Sequence, residues 1–294
     1  MRTSYLCIPC FFRQIENTSS MVGLSLRKKR YLYEILTKRL LQFDFNYPPV
    51  VFGRIIYKTI ARLSNKKDPF LKEKIKTERY LLKMIPQIEG YLKRSRSPLY
   101  LAAKMSCVAN SIDFGAGKRP PLDNIMSQFK NARLYIDHFL IFKRRIKEKS
   151  VIVIIGDNCG EAIFDMLFIE TLKETYPYVE VFYVTRSSPI INDVVISDTK
   201  RIGLQKLAKV ISSGCSYPGI LLDRISPSFR RIYRKADIVI SKGQGNFESL
   251  NDENKDIFYL FKVKCPAVSR FLSIPQNKYI FLYNKLKVKS NHDA

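Results

Sequence analysis

Histidine is nearly absent from this 294-residue chain: His138 and His292 are its only two. Zinc sites built on histidine pairs are thereby excluded, and cysteine does not fill the gap. Cys7 and Cys10 have metal-like spacing, but no second Cys or His pair completes a zinc site, which leaves a packed or redox-active thiol pair. Six cysteines scattered over this length also exclude a disulfide scaffold and agree with a reducing compartment. Long apolar runs are missing too. The segment Tyr5 to Phe12 contains Pro9 and is followed by Arg13, Gln14 and Glu16 with no small-residue cleavage site. A soluble, cytoplasmic protein with no membrane partner is expected.

Acidic residues are scarce: 26 Asp and Glu against 51 Lys and Arg give a net charge of +25. Such a field attracts nucleic acid, anionic lipid or phosphorylated metabolites without specifying any of them. The clusters at Arg27 to Arg30, Lys143 to Lys149, Arg230 to Lys235 and Lys285 to Lys289 are dispersed, as on a solvated surface. No aromatic-plus-basic recognition motif or zinc-finger spacing accompanies them, so no specific nucleic-acid partner is expected. A non-catalytic basic protein binding nucleic acid or another polyanion is the alternative from another class.

What is present divides the chain in two. Hydrophobic residues make up 46% of it, a globular composition. Residues 1–148 read as a helical region. Leu26, Leu32, Ile35, Leu36 and Leu40 fall near helical spacing within Leu24 to Leu41, Asn46-Tyr47-Pro48-Pro49 breaks the chain, and Val51 to Ser64 resumes the pattern. Asp68-Pro69 and Ser97-Pro98 each pair a capping side chain with proline at a helix start. The last of these helices runs from Pro98 towards Ile112. Asn110 and Asp113 share a face at its end, before Gly115 and Gly117; they either point at a site or mark a helix dissolving into a loop.

Residues 149–294 read as an α/β domain with a mostly parallel sheet. Val151-Ile152-Val153-Ile154-Ile155 is an unbroken β-branched run suited to a strand buried on both faces. Further strands are expected at Val179 to Val184, Gly219 to Leu222, Ala236 to Ile240, Ile257 to Val263 and Tyr279 to Tyr283. Helices are expected near Glu161 to Tyr176, Thr199 to Ile211 and Ser226 to Arg234. The turn Gly156-Asp157-Asn158-Cys159-Gly160 lies at a strand's carboxyl end, where open α/β sheets bind ligands. Asp157 and Asn158 offer an anionic and a neutral oxygen suited to a divalent cation, or they cap the next helix. Cys159 reads as a small packing residue. Asp193 follows the next strand and brings a second carboxylate to the same rim. Lys242-Gly243-Gln244-Gly245-Asn246 either cradles a phosphate or is an ordinary strand-to-helix turn.

Two common signatures are missing here. The turn is not G-x-G-x-x-G, and Val184-Thr185-Arg186 supplies no acidic residue for a ribose, which weakens a dinucleotide or S-adenosylmethionine methyltransferase reading. Asp157-Asn158-Cys159 also lacks the D-x-D of phosphatases that use an aspartyl nucleophile.

Four segments together resemble the metal-dependent damage-control phosphatases. They are Val108 to Gly115, Gly156 to Glu161 with Asp165, Pro189 to Asp193, and Ser241 to Glu248. Cys7-Ile8-Pro9-Cys10 with Arg13-Gln14, and Asp44 to Pro49, look like the archaeal-type branch of that family. The resemblance spans nearly the whole chain. It implies a helical N-terminal part, a three-layer α/β/α domain, and a single divalent metal, cobalt, nickel, manganese or magnesium, held by Asp157, Asn158 and Asp193. It also implies that Lys242 and Lys264 contact the substrate phosphate, that Gly243 and Asn246 line the pocket, and that Asn110 and Asp113 belong to the site's edge. Asp157 or Asp113 would orient or deprotonate the attacking water. The substrate would be a small phosphorylated metabolite, a sugar phosphate or a damaged phosphometabolite. Val194-Val195-Ile196-Ser197-Asp198 departs from the family's usual continuation after the second aspartate.

Overall fold

The computed structural model describes residues 1–112 and 125–286. Asp113, Gly115 and Gly117 lie outside the described residues.

The Val151 run forms strand β2 (Val151–Ile155), and its composition follows from its place in the sheet. Ile152 and Ile154 belong to one buried cluster and Val153 and Ile155 to another, because alternate side chains leave a strand on opposite faces. The sheet has seven strands, adding β1 (Leu134–Asp137), β3 (Glu180–Thr185), β4 (Lys209–Ser212), β5 (Ile238–Lys242), β6 (Ile257–Lys262) and β7 (Tyr279–Tyr283). Their order is β1-β7-β6-β5-β2-β3-β4, and every neighbouring pair is parallel except antiparallel β6 and β7.

Five helices come first: α1 (Cys7–Val22), α2 (Leu26–Leu41), α3 (Pro49–Ser64), α4 (Leu71–Lys93) and α5 (Pro98–Val108). Short helices α6 (Ile125–Asn131) and α7 (Phe139–Arg145) flank β1. Connecting the later strands are α8 (Glu161–Thr175), α9 (Ile196–Ile202), α10 (Pro227–Lys235), α11 (Gln244–Leu250) and α12 (Pro266–Leu272). Helix α5 packs on α8, and Ala102, Ala103 and Ser106 are fully buried there, small enough to let the two axes approach. A third cluster joins Phe11, Leu32, Phe52 and Ile56 of α1 to α3 with Ile190, Ile191 and Ala267 from the sheet side. Among the described residues, no helix is long and apolar enough to cross a membrane.

The fold is the expected α/β arrangement, with local corrections. Gly219 to Leu222 is not a strand: Pro218 lacks a ladder donor, and a Cβ at Gly219 would lie 2.5 Å from the Gly245 carbonyl oxygen, so this segment packs against the first turn of α11. The helix expected over Thr199 to Ile211 stops at Ile202, where Gly203 takes φ 81°, and the chain goes on to form β4. Strand β1 arises within residues 1–148 and pairs with β7, so the helical region contributes to the sheet. Asp68 caps a turn, its Oδ1 accepting Phe70 N–H at 3.0 Å, one residue before α4 begins. Pro98 does open α5, but the Ser97 side chain makes no capping bond.

Candidate functional site

The strand order reverses at β2: the chain moves outward through β3 and β4, then returns to add β5 on β2's other side. The carboxyl ends of β2 and β5 therefore flank a crevice, the usual ligand position of such sheets. Backbone bonds lace the loops at its floor. Val194 N–H donates to the Asp157 carbonyl at 2.8 Å, Cys159 N–H to the Asn192 carbonyl at 2.9 Å, and Asn158 forms an isolated antiparallel bridge with Asp193. Asp157, Asn158 and Asp193 are thus gathered from two loops onto one cleft of about 340 Å³. Just before Asp193, Ile191 has φ 40°, a left-handed conformation that a β-branched residue adopts only under constraint.

Asp157 is held on several sides. Its Oδ2 accepts from Asn110 Nδ2 at 3.0 Å and from Asn158 Nδ2 at 2.9 Å, and its Oδ1 lies 3.5 Å from Arg186 Nη2. Gly243 has φ 82°, and a Cβ there would stand 2.0 Å from Asp157 Oδ2. The glycine is required both by its dihedral and by the carboxylate seated against it.

Arg186 joins the two aspartates. Its Nε donates to Asp193 Oδ2 at 2.6 Å and its Nη1 to Asn246 Oδ1 at 3.0 Å, while Nη2 makes no hydrogen bond. Burial works against the guanidinium's charge, but Asp193 and Asp157 outweigh it and hold its pKa above the ordinary value. Sequence reasoning used Arg186 only as the absence of an acidic residue. The available signal was an arginine at the end of the strand beside β2, between two loops that carry aspartates.

Lys242 is not where a phosphate contact would put it. Its ammonium is fully buried beneath the cleft and donates to Glu161 Oε1, to Asp165 Oδ1 at 2.7 Å and to the Ser106 carbonyl at 3.0 Å. Burial alone would lower its pKa; Asp165 and Glu161 raise it above the ordinary range. Glu161 is pushed up to about 7 by burial, opposed by Lys242. Asn110 is likewise buried, donating to Asp157 and to Glu161 Oε2 at 2.9 Å while accepting Lys262 N–H at 3.1 Å. It positions Asp157 and does not line the cleft. Asn246 donates to the Lys242 carbonyl at 2.6 Å and to the Gly156 carbonyl at 3.3 Å, fastening β5 to β2.

Lys264 does line the cleft, with Gln244, Glu248 and, from α1, Arg13 and Gln14. Cys7, Cys10 and Cys265 lie on the same wall as free cysteines. Burial pushes the Cys7 thiol up to about 11 and the Cys265 thiol up to about 12.

Burial also pushes Glu248 up to about 7 from an ordinary 4.5, despite a 2.8 Å bond from Gln244. The stability this protonated carboxyl contributes is fully present below about pH 4.5 and is lost as pH rises through about 7. Glu248→Gln removes that loss. The variant is expected to be more stable than the parent by up to about 3 kcal/mol near pH 8 and equal to it near pH 4, read from thermal melts across that range.

The floor's chemistry fits a divalent cation. Four carboxylates (Asp157, Glu161, Asp165 and Asp193) face two cations, Lys242 and Arg186, leaving at least one negative charge unbalanced even when Glu161, pushed up to about 7, holds its proton. Among the described residues, no three His, Cys, Asp or Glu side chains are gathered to hold a metal. Asp157, Asp193 and the Asn158 amide instead offer two carboxylates and one neutral oxygen on the same cleft.

A model of the damage-control phosphatase ARMT1-like domain matches residues 3–280. A damage-control phosphatase of Pyrococcus horikoshii is 34% identical over 291 residues, covering 98% of this chain and 100% of that protein. One from Archaeoglobus fulgidus is 26% identical over 223 residues, covering 74% of this chain and 77% of that protein. The crystal structure of a DUF89 family protein from Pyrococcus horikoshii superposes with TM-score 0.86 at 33% identity, over 97% of this chain and 99% of that one.

Proposed function

The chain belongs to the damage-control phosphatase ARMT1-like family, and from that premise we propose that it hydrolyses small phosphorylated metabolites with the help of one divalent metal. The observation that carries this reading is the pair Asp157 and Asp193, bridged by buried Arg186 on an electronegative cleft floor. Asp157, Asn158 and Asp193 would hold the ion. All-oxygen donors accept magnesium and manganese readily and do not exclude cobalt or nickel. Once bound, a divalent ion polarises a phosphoryl oxygen and lowers the pKa of a coordinated water.

The remaining work falls to the chain itself. Asn110, Asn158 and Gly243 fix the Asp157 carboxylate, which can orient the attacking water or accept its proton. Lys264 on the cleft wall supplies positive charge for the equatorial phosphoryl oxygens. Lys242 serves from below by neutralising Glu161 and Asp165. Hydrolysis adds water across the phosphoester bond, releasing inorganic phosphate and the alcohol. Arg13 and Gln14 also line the cleft and are available to contact the substrate. A methyltransferase finds less support, because Arg186 stands after β3 where a ribose would need an acid.

The test is phosphate release from p-nitrophenyl phosphate and a panel of sugar phosphates. The protein is stripped of metal, then given cobalt, nickel, manganese or magnesium. Turnover is expected only after one of these ions returns; equal turnover without metal, or none with any ion, overturns the proposal. In the same assay Gly243→Ala is expected to lower kcat/KM at least about a hundredfold, because the new methyl displaces Asp157 and the backbone takes a strained φ.

A further inference from the structure

We propose that the outward face of α10 docks the phosphate backbone of nucleic acid. Arg230, Arg231, Arg234 and Lys235, with Ile225 and Pro227, line a surface groove of about 550 Å³ that contains no acidic residue. Carboxylates lie close enough to some surface cations elsewhere, pairing Arg145 with Asp256, Lys209 with Glu180, and Arg201 with Glu78 and Asp198, but none lines this groove. Among the described residues, none of the four on α10 pairs with a carboxylate. The helix dipole accounts for cations in the last turn, Arg234 and Lys235, but not for Arg230 and Arg231 one turn earlier.

Three features favour a nucleic-acid backbone over other polyanions. The apolar side of α10 is already used: Phe229 is fully buried and Tyr233 nearly so against the sheet, leaving no hydrophobic wedge for a lipid surface. The guanidinium groups of Arg231 and Arg234, which can bind phosphate oxygens bidentately, and the part of Arg230 not held by Leu222 share one groove. The surface is also preformed. Ser226 Oγ accepts Phe229 N–H at 3.2 Å, Ser226 N–H donates to the Ser213 carbonyl at 2.8 Å, and Arg230 Nη2 donates to the Leu222 carbonyl at 2.7 Å. Gly214, with φ 76°, allows this seating, since a Cβ there would lie 2.6 Å from the Ser226 nitrogen. Little ordering entropy is then lost on docking. Arg234 and Lys235 lie where the chain enters β5, whereas the cleft lies where it leaves, so docking and catalysis do not compete.

The experiment measures anisotropy of short labelled RNA and DNA of arbitrary sequence between about 50 and about 200 mM salt. The full chain is compared with R231E/R234E/K235E and with a charge-matched control, K38E/K72E/K83E. All six positions are exposed, and far-ultraviolet circular dichroism with phosphate release verifies folding. The α10 triple is expected to weaken binding at least about tenfold and to flatten the log–log salt slope by about 2.7 on duplex DNA and about 2.1 on single strands, the share of three phosphate contacts. R231Q/R234Q should lose a smaller part in the same direction. Equal losses in the α10 and control triples, or no salt-dependent binding at all, overturn the proposal. So does tighter binding to vesicles of anionic lipid, or to polyglutamate, than to nucleic acid.

Discussion

Asp193→Ala is expected to lower metal-dependent phosphate release by about a thousandfold or more, and Asp157→Ala to do the same. The charge stabilisation that a correctly held metal supplies is worth several kcal/mol, which corresponds to at least that factor in rate. The two variants should differ in how they fail. Without Asp193, Arg186 keeps Asn246 and the Asp157 carboxylate at 3.5 Å, so the fold should persist while one proposed metal donor is gone. Without Asp157, the Asn110 and Asn158 amides still reach Glu161, at 2.9 and 3.3 Å. Binding calorimetry with manganese separates loss of metal from loss of chemistry, because it needs no turnover. Retention of more than about a tenth of the parent rate in both variants would remove these carboxylates from the reaction.

Lys242→Met is expected to cost about 3–5 kcal/mol of stability, since it strands Glu161 and Asp165 in the interior without their shared cation. Urea unfolding measures it directly. A lysine whose task was to hold a substrate phosphate would give the opposite pattern: unchanged stability and a raised KM. With the ammonium gone, Glu161 loses the interaction opposing burial, so its carboxyl shifts further upward. The destabilisation is accordingly expected to be smaller at acid pH, where both carboxyls can take up protons.

The sequence made the floor of the cleft readable because its marks are local. A β-branched run must be buried, a glycine-bounded turn must follow it, and Asp157 and Asn158 sit in that turn. Lys242 and Asn246 are legible as residues at the β5–α11 junction, but not the direction their side chains take. Whether a side chain at a strand end points up to the cleft or down to the core depends on which partners lie below. Those partners, Ser106, Glu161 and Asp165, are far away in sequence. Arg186 was hidden for the same reason, since its partners lie 7 and 60 residues away. Strands β1 and β4 have four residues each and sit at the sheet's edges, half exposed, so neither carries the uniform apolar pattern that betrayed β2. Gly219 to Leu222 misled in the other direction, an apolar stretch whose close approach is to the first turn of α11 and not to a neighbouring strand.

The cluster that unites Phe11 and Phe52 with Ile191 and Ala267 carries a consequence for biosynthesis. The N-terminal helices leave the ribosome first, while Ile191 and Ala267, which complete their packing, follow some two hundred residues of translation later. Until then the apolar flank of α1 and α3 stays uncovered. The acidic floor, which needs Lys242 and Gly243 from the far end of the chain, therefore acquires its full geometry only when most of the chain has been made.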